Sequence, residues 1–295
     1  MINLIWQTDY SNKPTIQNET TIQFEYITKI LFKNIDHINH FDNKEYKTVL
    51  NNSIIIYPNR IPTISDDMKN YLEKYKSLNY NYILFHLGDE IYHNNYDYYA
   101  DANHVFRFYY NPDIKLPNVT TPPMGFITGY MNNTNKINLS KDRNIPVTFI
   151  GEVKHDRQLL VNNISNIENR FMHCTKSWAD PNQLSFNNVI DIYKRTLFVP
   201  IPKGYRDRGE GCRPYEALEW GAIPILKTVN GVDFYKHVLG DHPLPTIDNW
   251  SDIKPLIDKL MNEDIDSLIL KVNDWWIKFK EELSDQTNNI VYNKL

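Results

Sequence analysis

The chain's 295 residues suffice for two domains of about 100–200 residues each. Its 41% hydrophobic and 23% charged content excludes a disordered protein, and a net charge of −4 leaves no basic footprint for nucleic acid. No apolar stretch approaches the ~20 residues that span a bilayer, so no transmembrane segment is predicted.

Cys174 and Cys212 form neither a disulfide framework nor a zinc motif, which suits reduced thiols in a reducing compartment. The start, Met1-Ile2-Asn3-Leu4-Ile5-Trp6, lacks the basic region and long apolar core of a signal peptide, so a cytoplasmic protein is expected. Sequons at Asn18, Asn118 and Asn138 arise by chance in an Asn-rich chain. The Asn/Ile/Lys/Tyr bias fits an AT-rich genome such as that of a large DNA virus, with a virus factory or virion as its setting. Aromatics make up 13% of residues, Tyr alone 20, and fill cores or stack on sugar faces.

In chain order, Ile2–Gln7 reads as a strand and Thr21–Lys33 as a helix with Ile22, Tyr26, Ile27 and Ile30 on its apolar side. Ser53–Tyr57 is a buried strand that stops at Pro58. Ser65 is the N-cap of a helix to about Ser77, with Asp66 and Asp67 in its first turn. Tyr80–Leu87 and Val105–Tyr110 are strands, and Pro117 to Gly125 is a loop. The patternless polar run Asn132–Asn144 is the linker candidate. The second half opens with a strand at Pro146–Gly151, then a helix near His155–Ile167 and a strand at Arg170–Thr175. A helix at Ser185–Arg195 leads to the strand Leu197-Phe198-Val199-Pro200. Helices at Asp252–Met261 and Ile265–Leu283 close the chain. This alternation predicts an α/β protein with parallel sheets.

The most informative stretch runs from Tyr193 to Gly231. A buried strand leads into a loop with Gly204, Gly209 and Gly211, a short helix, and the strand Ala222-Ile223-Pro224-Ile225-Leu226. Such a unit sets charged groups at the carboxyl end of a parallel sheet, where open α/β folds bind ligands. Arg213 and Glu216 lie three apart and share a helix face. The guanidinium suits a diphosphate, the carboxylate suits two ribose hydroxyls, and the helix N-terminus adds positive charge. Taken alone, such a pair is an ordinary i,i+3 salt bridge; placed between a glycine loop and a Gly-Ala-Ile-Pro-Ile strand, it favours the ligand reading.

R-P-Y-E-A-L-x-x-G-A-I-P-I, residues 213–225, resembles the donor-site motif of the exostosin-like GT-B glycosyltransferases. Phe149-Ile150-Gly151 with Arg157 resembles the opening of their donor domain. Ile83-Leu84-Phe85-His86-Leu87-Gly88-Asp89-Glu90 resembles the H-x-x-D-E segment of a subgroup near the ribitol xylosyltransferases. The resemblance implies two Rossmann-like domains facing across a cleft, 1–140 for the acceptor and 145–270 for the donor. A closing helix, 271–295, would pack back on the first domain, with Trp275 and Trp276 at the interface. It also implies an inverting transfer from a UDP-sugar to a glycan or other hydroxyl acceptor, with no metal and no further cofactor.

An inverting transfer needs a base for the acceptor hydroxyl and cations for the departing diphosphate. Asp89 is the first choice for the base, Glu90 the second, and His86 orients a carboxylate or touches phosphate. Asp89-Glu90 also suits the cap of a helix starting near Ile91. Arg213 is expected at the donor, with Arg157, Gly151, Thr175, Lys203 and Tyr215, and with Arg206, Arg208 and Trp178 as further possibilities. His37 and His40, three apart, and Asp101, Asp264 and Asp266 are read as surface polarity and not as metal sites. Two alternatives stay open: a nucleotide-sugar epimerase or hydrolase, and a non-catalytic glycan- or nucleotide-sugar-binding protein of the same fold.

Overall fold

The computed structural model describes residues 1–7, 23–42, 45–58, 65–90, 96–177, 180–203, 210–229 and 231–295. The chain forms two compact units. Met1–Thr128 and Lys280–Leu295 belong to the first, with Glu210; Gly129–Lys203 and Gly211–Phe279 form the second.

The first unit holds β1 (Ile2–Trp6), β2 (His37–Phe41), β3 (Ser53–Tyr57), β4 (Tyr82–His86), β5 (His104–Arg107) and β6 (Val119–Thr120). They pair in the order β2-β1-β3-β4-β5-β6, all parallel. The runs SIIIY and YILFH are buried at every position, as a sheet covered on both faces requires. The helix expected at Thr21–Lys33 contains α1 (Phe24–Tyr26) and then a π-turn at Ile27–Leu31, where Phe32 N bonds Ile27 O at 2.9 Å. Residues 21 and 22 lie outside the described residues. α2 (Asp66–Ser77) starts where the sequence indicates: the Ser65 hydroxyl accepts from Met68 N at 3.2 Å. Its Met68, Tyr71, Leu72 and Tyr75 pack on Ile5, Ile55, Leu84 and Val105. Those four strand residues are register partners, so they form one row across the sheet face beneath α2.

The second unit holds β7 (Ile145–Glu152), β8 (Phe171–Thr175), β9 (Thr196–Ile201), β10 (Ile223–Lys227) and β11 (Thr246–Ile247), in the parallel order β11-β10-β9-β7-β8. Counted from each unit's own first strand, both sheets share the order 2-1-3-4-5. The helices are α3 (Arg157–Ile164), α4 (Phe186–Arg195), α5 (Arg213–Glu219), α6 (Lys236–Leu239), α7 (Ile253–Met261) and α8 (Ile265–Lys294). The sequence reading missed β2, β6, β11 and α6, and its periodicity ended α8 eleven residues early, at Leu283, whereas the resemblance carried a closing helix to 295.

The polar run Asn132–Asn144 is packed into the second unit. Asn132 N donates to Glu219 Oε2 at 2.9 Å. Arg143 is buried and donates to the carbonyls of Asn138, Tyr193 and Trp220, each at 2.9 Å, and of Thr196 at 2.5 Å. Burial lowers the Arg143 pKa to about 10, which leaves it charged at neutral pH. One side chain thereby fixes the ends of α4 and α5 beside the sheet. Gly221 ends α5 with a φ of +71°, and a Cβ there would lie 2.6 Å from Arg143 Nη2.

Candidate functional site

In a doubly wound sheet, ligands bind beyond the carboxyl ends of the strands where the order reverses. In the second unit that point lies between β7 and β9. Gly151 and Glu152 end β7, and Lys203 follows β9. Gly151 has a φ of +146°, and a Cβ there would lie 2.5 Å from Arg213 Nη2. The Arg213 guanidinium therefore lies against bare backbone, which only glycine provides. Glu216 shares the Arg213 face of α5 and is 5% exposed. Burial pushes its carboxyl up to about 7, with Arg213 pulling the other way. The phenols of Tyr130 and Tyr193 join this group. Both are buried, both feel Glu216 and Arg213, and burial raises both pKa values.

Two expected donor residues are already engaged with the fold. Arg157 Nη1 donates to Glu152 O and Nη2 to Lys203 O, both at 3.2 Å. It thus spans the β7/β9 crevice by holding backbone on either side, while Lys203 contributes its carbonyl. Tyr215 is fully buried and stacks on Trp276 with ring centroids 5.8 Å apart. It lies two residues from Arg213, a spacing that does not put two side chains on one helix face. The α5 N-terminus offers less than expected. Pro214 has no N–H, and Tyr215 N and Glu216 N both bond Cys212 O. The Arg213 guanidinium supplies a full positive charge at this edge. Thr175 ends β8, and its carbonyl accepts from Val153 N at 3.2 Å. Trp178, Arg206 and Arg208 lie outside the described residues.

The first unit carries its own row of polar groups. Tyr57, His86 and Arg107 are the last residues of β3, β4 and β5, and they are mutual register partners. The row lies two residues beyond Ile55, Leu84 and Val105, so it occupies the same face at the carboxyl edge. All three are buried, at 3%, 4% and 1% exposure. His86 Nδ1 and Tyr99 Oη lie 2.5 Å apart, and Tyr57 and His86 have ring centroids 5.8 Å apart. Arg107 Nη2 donates to Asp89 Oδ2 at 3.2 Å, and Asp89 is 4% exposed with a φ of +75°. Glu90 follows in a turn and is half-buried. Asp89 therefore already belongs to a buried ion pair. The expected helix from Ile91 lies outside the described residues.

Sequence reasoning missed Tyr57, Tyr99, Arg107, Tyr130 and Tyr193. Arg107 carried one signal: a charged residue closing a buried strand, as His86 closes its neighbour. Among the described residues, no group of three or more His, Cys, Asp or Glu side chains is placed to hold a metal. His37 and His40 lie on β2, where a spacing of three puts side chains on opposite faces. They bond Ile35 O at 2.7 Å and Asn3 Oδ1 at 3.0 Å. Asp266 Oδ1 accepts from Ser140 N, and Asp264 Oδ2 from Ser267 Oγ. No described helix is long and apolar enough to cross a membrane.

The fold defines the class: an α/β protein of two parallel, Rossmann-like units. No family model matches the chain, and no curated protein matches it. Among solved structures, one described as "Crystal structure of GtfA/B complex" is similar, with a TM-score of 0.43 and 12% identity over 79% of this chain. The chain spans 57% of that neighbour's length.

Proposed function

We propose that the chain is a glycosyltransferase of the GT-B type, inverting and metal-independent, which transfers a sugar from a UDP-linked donor to a hydroxyl acceptor. The observation that carries this reading is the Arg213–Glu216 face of α5, set over Gly151 at the carboxyl edge of β7. The resemblance of residues 213–225 to the exostosin-like donor motif supports it.

In this reading the second unit holds the donor. The Arg213 guanidinium grips the diphosphate and takes up the charge that develops on it as the sugar departs. Glu216 accepts from the ribose hydroxyls. The first unit supplies the base from the group His86, Asp89 and Glu90. The acceptor oxygen attacks the anomeric carbon, the bond from that carbon to the phosphate oxygen breaks, and the electron pair leaves with UDP.

Titration calorimetry with UDP in the presence of EDTA tests the proposal. Binding is expected, with unchanged affinity on addition of magnesium. Absence of binding with and without magnesium would refute the donor assignment, and binding only with magnesium would refute metal independence.

A further inference from the structure

The Arg107–Asp89 pair adjoins the residue that the proposed reaction needs most. Arg107 donates through Nη2 to Asp89 Oδ2 and through Nε to Phe108 O, both at 3.2 Å. The arginine is 1% exposed and the aspartate 4%. Asp89 stands in left-handed backbone, φ +75°, three residues after His86, the buried end of β4. Among non-glycine residues, Asn and Asp take that conformation most readily. Both partners are buried and bonded to one another, so the fold holds the Asp89 side chain in place. Glu90, the next residue, is half-buried and so more open to an acceptor.

We propose that Arg107 and Asp89 form a positioning clamp that fixes the left-handed turn at the end of β4, and that Glu90, carried by that turn, deprotonates the acceptor. The inference rests on the glycosyl-transfer reading. Glu90 takes the proton of the acceptor O–H as that oxygen bonds to the anomeric carbon. The electron pair of the broken bond leaves on UDP, and Glu90 then releases its proton to solvent. Asp89 and Arg107 touch neither substrate; they act through Glu90.

The test compares Glu90→Gln, the double variant Asp89→Asn/Arg107→Gln, and the apolar pair Asp89→Leu/Arg107→Met with wild type. The readouts are UDP release from UDP-glucose, UDP-galactose, UDP-xylose and UDP-N-acetylglucosamine with water as acceptor, together with UDP affinity by calorimetry. The Asn/Gln pair removes both charges but keeps a hydrogen bond and a residue that tolerates positive φ. It is expected to lower kcat as the turn loosens, with UDP affinity unchanged and the acid limb of the pH–rate profile in place. Glu90→Gln is expected to lose about 10²–10⁴-fold in rate and that acid limb, with UDP affinity unchanged. The Leu/Met pair is expected to lower kcat while the donor KM holds. Loss of the acid limb in the Asn/Gln pair with UDP affinity intact would make Asp89 the base and overturn the inference, as would near-normal turnover by Glu90→Gln or an unchanged kcat in the Leu/Met pair. A wild type that neither binds UDP nor releases it would instead bring down the glycosyl-transfer reading, and this inference with it.

Discussion

Glu216 is buried beside Arg213, and burial wins: its carboxyl rises from 4.5 to about 7. A raised carboxyl means that the unfolded chain binds fewer protons between those two values. Stability from this group is therefore present below pH 4.5 and is lost as pH climbs to about 7. The shift corresponds to roughly 3 kcal/mol. His104 works in the opposite sense, since burial lowers it to about 4, and its share of stability is lost as pH falls below its ordinary 6.5. The bare pH curve thus mixes two trends. Urea unfolding of wild type and Glu216→Gln across pH 5–8 separates them: the variant is expected to gain on wild type as pH rises, and a constant difference would contradict the buried carboxyl. Gly151→Ala probes the next residue. A methyl there meets Arg213 Nη2 in a backbone conformation that favours glycine. Displacing the guanidinium is expected to weaken UDP binding about 10- to 150-fold by calorimetry, as Arg213→Ala should; unchanged affinity in both would make Arg213 and Glu216 a plain salt bridge. The sequence showed Arg213, Glu216 and Gly151 because one strand–loop–helix unit and one glycine turn carry them. It did not show Tyr57 and Arg107 beside His86, because parallel register, and not spacing along the chain, brings strand ends together.

At the scale of elements, start signals were the most legible. Ser65 caps α2 as the sequence indicates, and Ser185, read as the first residue of its helix, caps α4; each accepts from the backbone N–H three residues on. Ser185→Ala is expected to cost about 1 kcal/mol in urea unfolding. The buried runs SIIIY and YILFH were equally plain, since apolar β-branched and aromatic residues bounded by turn residues have few other uses. The end of α8 was hidden for a physical reason. Its buried stripe past residue 283 is Ser284, Thr287, Asn288 and Val291, which keeps helical spacing with three polar members. A hydrophobicity pattern stops there although the packing does not. β2, β6 and β11 were missed because the last two are two residues long and β2 is polar in three of five positions. Arg143 shows how a polar stretch becomes structure. Its bonds to four carbonyls replace the apolar packing that a linker lacks. Arg143→Met is expected to lower stability by more than about 3 kcal/mol, because buried carbonyls lose a charged donor; a smaller loss would mean that solvent reaches them.

The whole molecule repeats one strand order twice, and each copy places its chemistry at the carboxyl edge, where a parallel sheet leaves strand ends open. The second unit carries the cation, the glycine turn and the buried carboxyl; the first carries a histidine, an ion pair and a half-buried glutamate. Helix α8 belongs to both units, with Trp276 in the core of the second and Tyr292 Oη donating to Asn34 O at 3.2 Å in the first. The central claim is that a nucleoside diphosphate binds at the β7 edge of the second unit. Hydrogen–deuterium exchange with and without saturating UDP tests it most directly. The account predicts slowed exchange centred on residues 149–157 and 211–219, absent in Arg213→Ala. Protection confined to the first unit, or no protection at UDP concentrations that saturate calorimetric binding, would contradict it.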